Sequence, residues 1–500
     1  MRNFTIQGVT IPDDAAYKDV VVIGNGPSGI ALSYLLAGNW PYYNGAIHPD
    51  EMLTARLSGA PPGRSIVKQD LRFLSQGLEG RSNNPVSLLM DTLNHPCADL
   101  GLELPSLLEW HHHPECQVDH IVLGKGPPGG SWQAMDGNIL TISLGSWMEL
   151  PGVDFRAWEA AGNTGMSSGP TSSRDSRASV SSLARYYYDY VHNQGLAKFF
   201  RNSCVVTSVL PLDTSHSQNK ETIDPETGVQ HCEPRALWRV EGFDLSDGIP
   251  FCYICRRVVL ATGQSDLPNR LGVSGELNNP TWVLHDLRSL EAALDRLVEE
   301  EEGDREGVPT EPRCDPVLIV GAGLSAADAV IAARFRSLPI LHVFRKKAGA
   351  LGKQLPENMY PEYHKVHQMM GDGGATYPCY TALAEHRVLE ISSDHKVCVV
   401  GPDNVASVHR VSVVAILIGS RPDLNFLPPG LGLGRKPSEP IDCRSNPIDV
   451  DPYTHGVVRA PPGMYTLGPL AGDNFVRFLQ GGAVAISSHV NKELQHQTVL

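Results

Sequence analysis

Short apolar runs alternate along this chain with stretches of helical spacing, and glycines mark several of the junctions. At "VVVIGNGPSGIALSYLL", residues 21–37, a β-branched run is followed by three glycines in six residues and then by a helical pattern. A continuous apolar run of this kind predicts a strand buried on both faces of a parallel sheet. A helix from about Ser28 to Leu36 is expected behind it. The theme returns in "PVLIVGAGLSAADAVIAARFRSLPILHVFRKK" as apolar strand, glycine turn, Ala-rich helix and apolar strand.

Residues 39–118 carry Pro and Gly punctuation and one clear helical stretch, 85–93, and read as an insertion. Strand character resumes at "HIVLGKGPPGGSW" from His120 and continues through "ILTISLGSWMEL". The last third holds "VVAILIGSRPD" and "GMYTLGPLAGDNFVRFLQGGAVAISSHV", two strands that end in glycine, the second running into a helix. The alternation predicts an α/β fold of two dinucleotide-binding, Rossmann-like domains with parallel sheets.

Three polar stretches predict solvated loops. Residues 162–182 are Ser-rich and lack apolar periodicity, residues 213–234 have the same character, and residues 299–316 are acidic with three prolines. The last stands directly before the second strong strand and is expected to be a domain linker. The layout that follows is a first domain over 1–270 with the insertion, a second over 271–425, and a return to the first over 426–500.

At 500 residues the chain exceeds one hydrophobic core. A formal charge of −14 disfavours nucleic acid or an anionic membrane as the main partner, which leaves small molecules, with protein partners open. No signal-type segment and no long apolar run are present, so a cytoplasmic chain without a transmembrane segment is expected. The ten cysteines are scattered, as for reduced thiols. "CYIC", Cys252 to Cys255, leads into a strand instead of sitting at a helix N-terminus, which disfavours a working dithiol. The run from His111 to Cys116 reads as a solvated turn, and no metal is expected.

GxGxxG spacing has a physical reason: the first glycine permits the tight turn, the second lets the backbone approach a pyrophosphate, and the third lets helix and strand pack closely. The first copy is Gly24, Gly26 and Gly29, with Pro27 and Ser28 opening the helix; the second is Gly321, Gly323 and Ala326, with Ser325. Two copies suggest two nucleotides. After the second turn, the strand "ILHVF" ends in Arg345, Lys346 and Lys347, and positive charge there suits a ribose 2′-phosphate, favouring NADP over NAD. After the first turn the expected acid is missing. Asp50 and Glu51 have no strand before them, and if the insertion is set aside Gly124 takes the acid's place, leaving the ribose to Lys125, to backbone or to the insertion. Gly472 and Asp473 follow a strand and precede a helix, as in the element that two-nucleotide flavoproteins place at the ribityl and pyrophosphate region. Gly263, ending "VVLATG", lets the chain leave the sheet beside a cofactor.

These motifs, with "PGGSW" (Gly130, Ser131 and Trp132 within it), "LATG", "GAGLSAAD" and "GD" in this order, resemble class B flavin-dependent monooxygenases, including the ornithine N-hydroxylase branch. The longer strings "GLEGRSNNPVSLLMD", "VLGKGPPGGSWQ" and "GPLAGDNFVRFLQGGA" are similar to the oxidative stress-induced growth inhibitor family, from about Asp19 to Val490. The resemblance implies FAD at the first site and NADPH at the second. It implies transfer of one oxygen atom from dioxygen to a small substrate through a hydroperoxyflavin, with no catalytic side chain assigned. A role restraining growth or division under oxidative stress, and a midbody or mitochondrial association, are likewise implied. Two departures stand out. Of the class B fingerprint FxGxxxHxxxY only His285 survives, with Asn279, Thr281 and Ser289 at the other positions. Gly145 and Ser146 stand where the ornithine enzymes carry a lysine, so ornithine is not the expected substrate. A non-catalytic nucleotide-sensing regulator and a flavin-dependent disulfide reductase remain as alternatives.

Overall fold

In the computed structural model, residues 5–6, 9–10, 15–162, 177–212, 222–223, 230–231, 237–303, 314–347 and 356–498 are described. The first apolar run forms β1 (Ala15–Ile23), where Val20, Val21 and Val22 have no exposed surface. α1 (Pro27–Leu36) leads to β2 (Asn39–Tyr43) and the inserted segment, which holds α2 (Pro85–Asn94) and the shorter helices Glu51–Gly59 and Leu71–Leu74. β3 (Leu108–His112) pairs antiparallel with β2 and closes the insertion at its base. The segment is thus more helical than its punctuation suggests. Burial of Val86, Leu89, Met90 and Leu93 on α2 in the main core supplies the stability that local propensity lacks.

β4 (His120–Leu123), α3 (Val180–Asn193), β5 (Phe200–Arg201), β6 (Cys204–Leu212), β7 (Leu237–Asp244) and β8 (Pro250–Leu260) follow. Next come β9 (Val283–Leu284), α4 (Leu287–Gly303), β10 (Val317–Val320), α5 (Leu324–Phe335), β11 (Ile340–Phe344), α6 (Pro361–Gly371), β12 (Tyr380–Ala384) and β13 (Val414–Ile416). β14 (Met464–Thr466) and α7 (Leu479–Thr498) end the chain's regular structure.

The chain divides into two units, Met1–Asp266 with Pro422–Leu500, and Leu267–Arg421. The sheet of the first runs β6-β7-β8-β1-β4-β5, and β14 pairs with the C-terminal half of β8. β8, β1, β4, β5 and β14 are parallel, whereas β7 and β6 extend the sheet antiparallel. One face is covered by α1, α2 and α7. The second unit has a five-stranded, wholly parallel sheet in the order β9-β13-β10-β11-β12, with a three-stranded antiparallel sheet over residues 387–410.

The acidic run is not a domain linker. It lies inside the second unit, and its first five residues complete α4, where Leu290 and Leu294 are fully buried and glutamate is a good helix former. Residues 304–313 lie outside the described residues. The Ser-rich loop also ends earlier than expected. Arg177–Ser179 form a strand, and the Ser179 hydroxyl caps α3 by accepting from Ser182 N–H at 3.1 Å; residues 163–176 lie outside the described part. Of the third polar stretch, 222–223 and 230–231 pair as a short ladder and the rest is not described.

Candidate functional site

Gly24 leaves β1 at φ +114°, and a Cβ there would stand 2.2 Å from the Ala261 carbonyl oxygen at the end of β8. A Cβ on Gly29 would fall 2.0 Å from the Gly24 oxygen, so α1 packs on the turn as closely as main chain allows. Gly26 is the N-cap of α1 and offers no side-chain cap, and Pro27 opens the first turn. The first intrahelical bond runs from Ile30 N–H to Gly26 O at 3.0 Å. The N–H groups of Ser28 and Gly29 therefore lack intrahelical acceptors at the positive end of the helix dipole. In front of Gly26 nothing approaches a would-be Cβ closer than 4.0 Å.

Three distant segments converge on this helix start. A Cβ on Gly130 would lie 2.9 Å from Gly26 Cα, and Gly129 N–H bonds Asn25 O at 2.9 Å. A Cβ on Gly468 would lie 2.2 Å from Ser28 Oγ, and Asp473 N–H bonds Gly468 O at 3.1 Å. Thr262, beside Gly24, has a buried hydroxyl with no partner, and Gly263 next to it faces open space. Ser131 is exposed, and Trp132 packs edge-on against Tyr187 of α3 with ring centroids 6.2 Å apart. An open groove of about 380 Å³, lined by Trp132, Gln133, Met135, Ser181, Ala184 and Tyr188, runs between this turn and α3.

Asp473 is 2% exposed, and its carboxylate is already held: Oδ1 accepts from Ser82 Oγ at 2.6 Å, and Oδ2 accepts from Asn84 Nδ2 and Ser87 Oγ, both at 2.8 Å. All three donors belong to the insertion. Burial pushes the carboxyl up against these bonds, which favour its ionised form, and burial keeps nearby His455 low. The helix does not begin at Asp473. A short turn at Gly468–Ala471 precedes it, a second at Val476–Phe478 follows, and α7 starts only at Leu479. Arg477, in the second of these turns, is 3% exposed; it pairs with Asp91 at 3.0 Å and Asp99 at 2.6 Å and lies 4.5 Å over the Trp147 ring.

Gly124 stands where an acid was expected because the Asn25 side chain fills that space. A Cβ on Gly124 would meet Asn25 Nδ2 at 2.0 Å, and this amide donates to Gly126 O at 2.7 Å and Asn202 Oδ1 at 3.0 Å. Lys125 pairs with Asp266 at 3.1 Å.

The second turn repeats the first. Gly321, at φ +140°, would place a Cβ 2.3 Å from Leu417 O, while Gly323 faces open space. Gly323 is an N-cap without a side-chain bond, and the first bond of α5 runs from Ala327 N–H to Gly323 O at 3.1 Å. Ser325 is exposed and Ala326 is buried. Arg345, Lys346 and Lys347 are exposed and directly follow β11, at the sheet end from which α5 departs.

His285 Nε2–H donates to Glu276 Oε1 at 3.0 Å, and the same carboxylate accepts the N–H groups of Leu271 and Gly272. Cys252 and Cys255 lie three residues apart on β8 and pack into separate apolar clusters on opposite faces of the sheet. Burial pushes the Cys255 thiol well up.

Sequence reasoning assigned no role to Ser82, Asn84, Ser87, Asn25 or Arg477. The first three stand inside "GRSNNPVSLLMD", where Ser82, Asn83 and Asn84 directly ahead of a buried helix, with Ser87 in its first turn, were the available signal.

No protein-family profile matches the chain. Oxidative stress-induced growth inhibitor 2 of Homo sapiens is 42% identical over 497 residues, 95% of this chain and 94% of that protein. Oxidative stress-induced growth inhibitor 1 of Mus musculus is 44% identical over 486 residues, 95% of each chain. Among solved structures, a bacillithiol disulfide reductase from Bacillus cereus aligns with a TM-score of 0.55 at 15% identity, covering 96% of this chain and 100% of its own. An ornithine hydroxylase from Pseudomonas aeruginosa aligns with a TM-score of 0.50 at 14% identity, covering 96% and 100%. At such identities the likeness is one of fold, a two-domain flavoprotein architecture with Rossmann-like domains. With more than two-fifths of its residues identical to these growth inhibitors over nearly its whole length, the chain belongs to the oxidative stress-induced growth inhibitor family.

Proposed function

We propose that the chain is an NADPH-dependent FAD monooxygenase acting with dioxygen on a small substrate. The observation that carries this is the repeated helix start: α1 and α5 each begin without a side-chain cap, behind a glycine that cannot bear a side chain.

The residues of the first unit fit FAD. The free N–H groups of Ser28 and Gly29 would neutralise its diphosphate, Gly26 leaves the approach open, Gly24 and Gly130 allow the close backbone contacts of the turn, and Pro27 opens the helix. Thr262 offers an unpartnered hydroxyl beside Gly263, while Ser131 and Trp132 border the same turn. Gly472 and Asp473 act by holding the C-terminal loop against Ser28, since the Asp473 carboxylate is taken up by the insertion. In the second unit, Gly321, Gly323 and Ser325 would receive the NADPH diphosphate, with the buried Ala326 packing the helix on the turn behind them, and Arg345 and Lys346 its 2′-phosphate. Residues 1–270 and 426–500 thus form the FAD domain and 271–425 the NADPH domain. A bound FAD would supply hydride acceptance and the activation of dioxygen; the protein's own part is to bind, orient and exclude water.

The purified chain is expected to be yellow, to oxidise NADPH in air, and to place oxygen from isotopically labelled dioxygen into a product. A colourless chain with no NADPH oxidation overturns the proposal. The second reading, a nucleotide-sensing regulator without turnover, is favoured by the engagement of His285 with Glu276. NADPH binding without consumption would select it. The placement of Cys252 and Cys255 on opposite sheet faces weighs against a disulfide reductase using that pair. The relatives' names carry growth inhibition under oxidative stress, and the same cellular role is proposed for this chain. Among the described residues, no helix is long and apolar enough to cross a membrane.

A further inference from the structure

The two helix starts can be superposed by their hydrogen bonds. Gly24 N–H bonds Leu123 O at 2.8 Å, and Gly321 N–H bonds Val343 O at 3.0 Å. The strand registers agree, with Ile23 opposite Leu123 and Val320 opposite Val343. In this correspondence Gly29 matches Ala326, and Val122 matches His342.

The matched pairs differ together. In the first unit the Gly24 carbonyl lies 2.0 Å from where a Cβ on Gly29 would stand, and Val122 Cγ1 is 3.6 Å from the same point. An alanine there is excluded unless the carbonyl turns. The second unit has that alanine, fully buried, and its Gly321 carbonyl lies 2.7 Å from His342 Nε2. A carbonyl only accepts, so Nε2 carries the proton, and Nδ1 accepts from the Tyr380 hydroxyl at 2.8 Å on β12. His342 is 0% exposed, and burial holds it down to about 4, so the ring is neutral with a single N–H.

We propose that His342 is a positioning residue of the second nucleotide site: its Nε2–H holds the Gly321 carbonyl inward, which permits alanine at the third motif position. In a trans peptide the Ala322 N–H points opposite to that carbonyl, away from His342 and out of the sheet. Tyr380, by fixing the tautomer, completes the relay. A lone buried histidine would be an ordinary core residue; its partnership with the one departure from GxGxxG gives it a task.

This rests on the NADPH reading of the second site. The test measures NADP+ affinity of the full chain by fluorescence titration, with the flavin absorption spectrum as a check on the first unit. H342V is expected to bind NADP+ at least about tenfold more weakly. A326G alone should change affinity less than about threefold, and H342V/A326G should recover most of the loss, because glycine lets the carbonyl return to the orientation seen at Gly24. H342Q, which keeps a donor, is expected to stay within about threefold of wild type and serves if H342V does not fold. H342V binding as wild type does, a double variant no tighter than H342V, or a tenfold loss in H342Q would each overturn the role of His342. A wild-type chain that takes up no NADP+ overturns the NADPH reading itself.

Discussion

Asp473 Oδ2 and Asn84 Nδ2 lie 2.8 Å apart across 389 residues of sequence, joining the C-terminal return to the inserted segment. With Ser82 and Ser87 completing the set, the insertion acts as a clamp on the loop that meets the α1 helix start. D473A strands three buried donors, and the expected loss is about 3–5 kcal/mol of stability. N84A removes one partner and should cost about 1–3 kcal/mol. Thermal melts of both, with flavin content measured alongside, check this; a D473A chain as stable as wild type would show that the clamp bears no load.

Arg477 holds a similar junction, between Asp91 on α2 and Asp99 beyond it. R477L leaves the buried Asp91 carboxylate without its cation, while Asp99 keeps Arg81 at 3.1 Å, with an expected destabilisation of about 3–5 kcal/mol. Because the guanidinium also stacks on Trp147, lysine should not restore stability, and tryptophan emission should shift in both variants.

The two turns should differ in their tolerance of a methyl group. G29A drives a Cβ into the Gly24 carbonyl and should lower stability by about 2–4 kcal/mol with loss of bound flavin. G323A meets nothing within 4 Å and should melt as wild type does. Equal melting of G29A and wild type would contradict the close packing of α1 on its turn.

Arg345 and Lys346 directly follow β11 and are exposed, with charge to offer a 2′-phosphate. The variant R345E/K346E should weaken NADPH by about tenfold or more while changing NADH little. Equal losses for the two nucleotides would show that these side chains do not read the phosphate.

Acid should destabilise the chain through His120 and His342, both held by burial down to about 4. An unfolded imidazole titrates near 6.5, so below that value the unfolded chain binds more protons than the folded one. Stability is therefore full above about pH 6.5 and is lost as pH falls toward 4, by up to about 3 kcal/mol for each ring. Melting temperatures followed from neutral pH downward measure it, and H342Q should give a shallower decline.

Both strand–turn–helix units were legible in the sequence, as were the basic end of β11 and the family likeness. Each rests on apolar period, glycine spacing or a string of neighbours, which are local properties of the chain. The acidic run misled because its prolines suggested a linker, whereas the buried Leu290 and Leu294 carry α4 through its first glutamates. Asp473 was located by motif but not its partners, and Gly124 was seen as a gap before Asn25 was seen to fill it.

By itself, then, the sequence determined where strands, turns and helix starts fall, because steric and hydrophobic preferences act over a few residues. Only the tertiary structure decided which groups satisfy the buried carboxylate of Asp473, that Cys252 and Cys255 face apart, and that His342 bonds the Gly321 carbonyl. Those relations depend on which distant segments share a core, and a hydrogen bond is settled by tenths of an ångström that no spacing along the chain encodes.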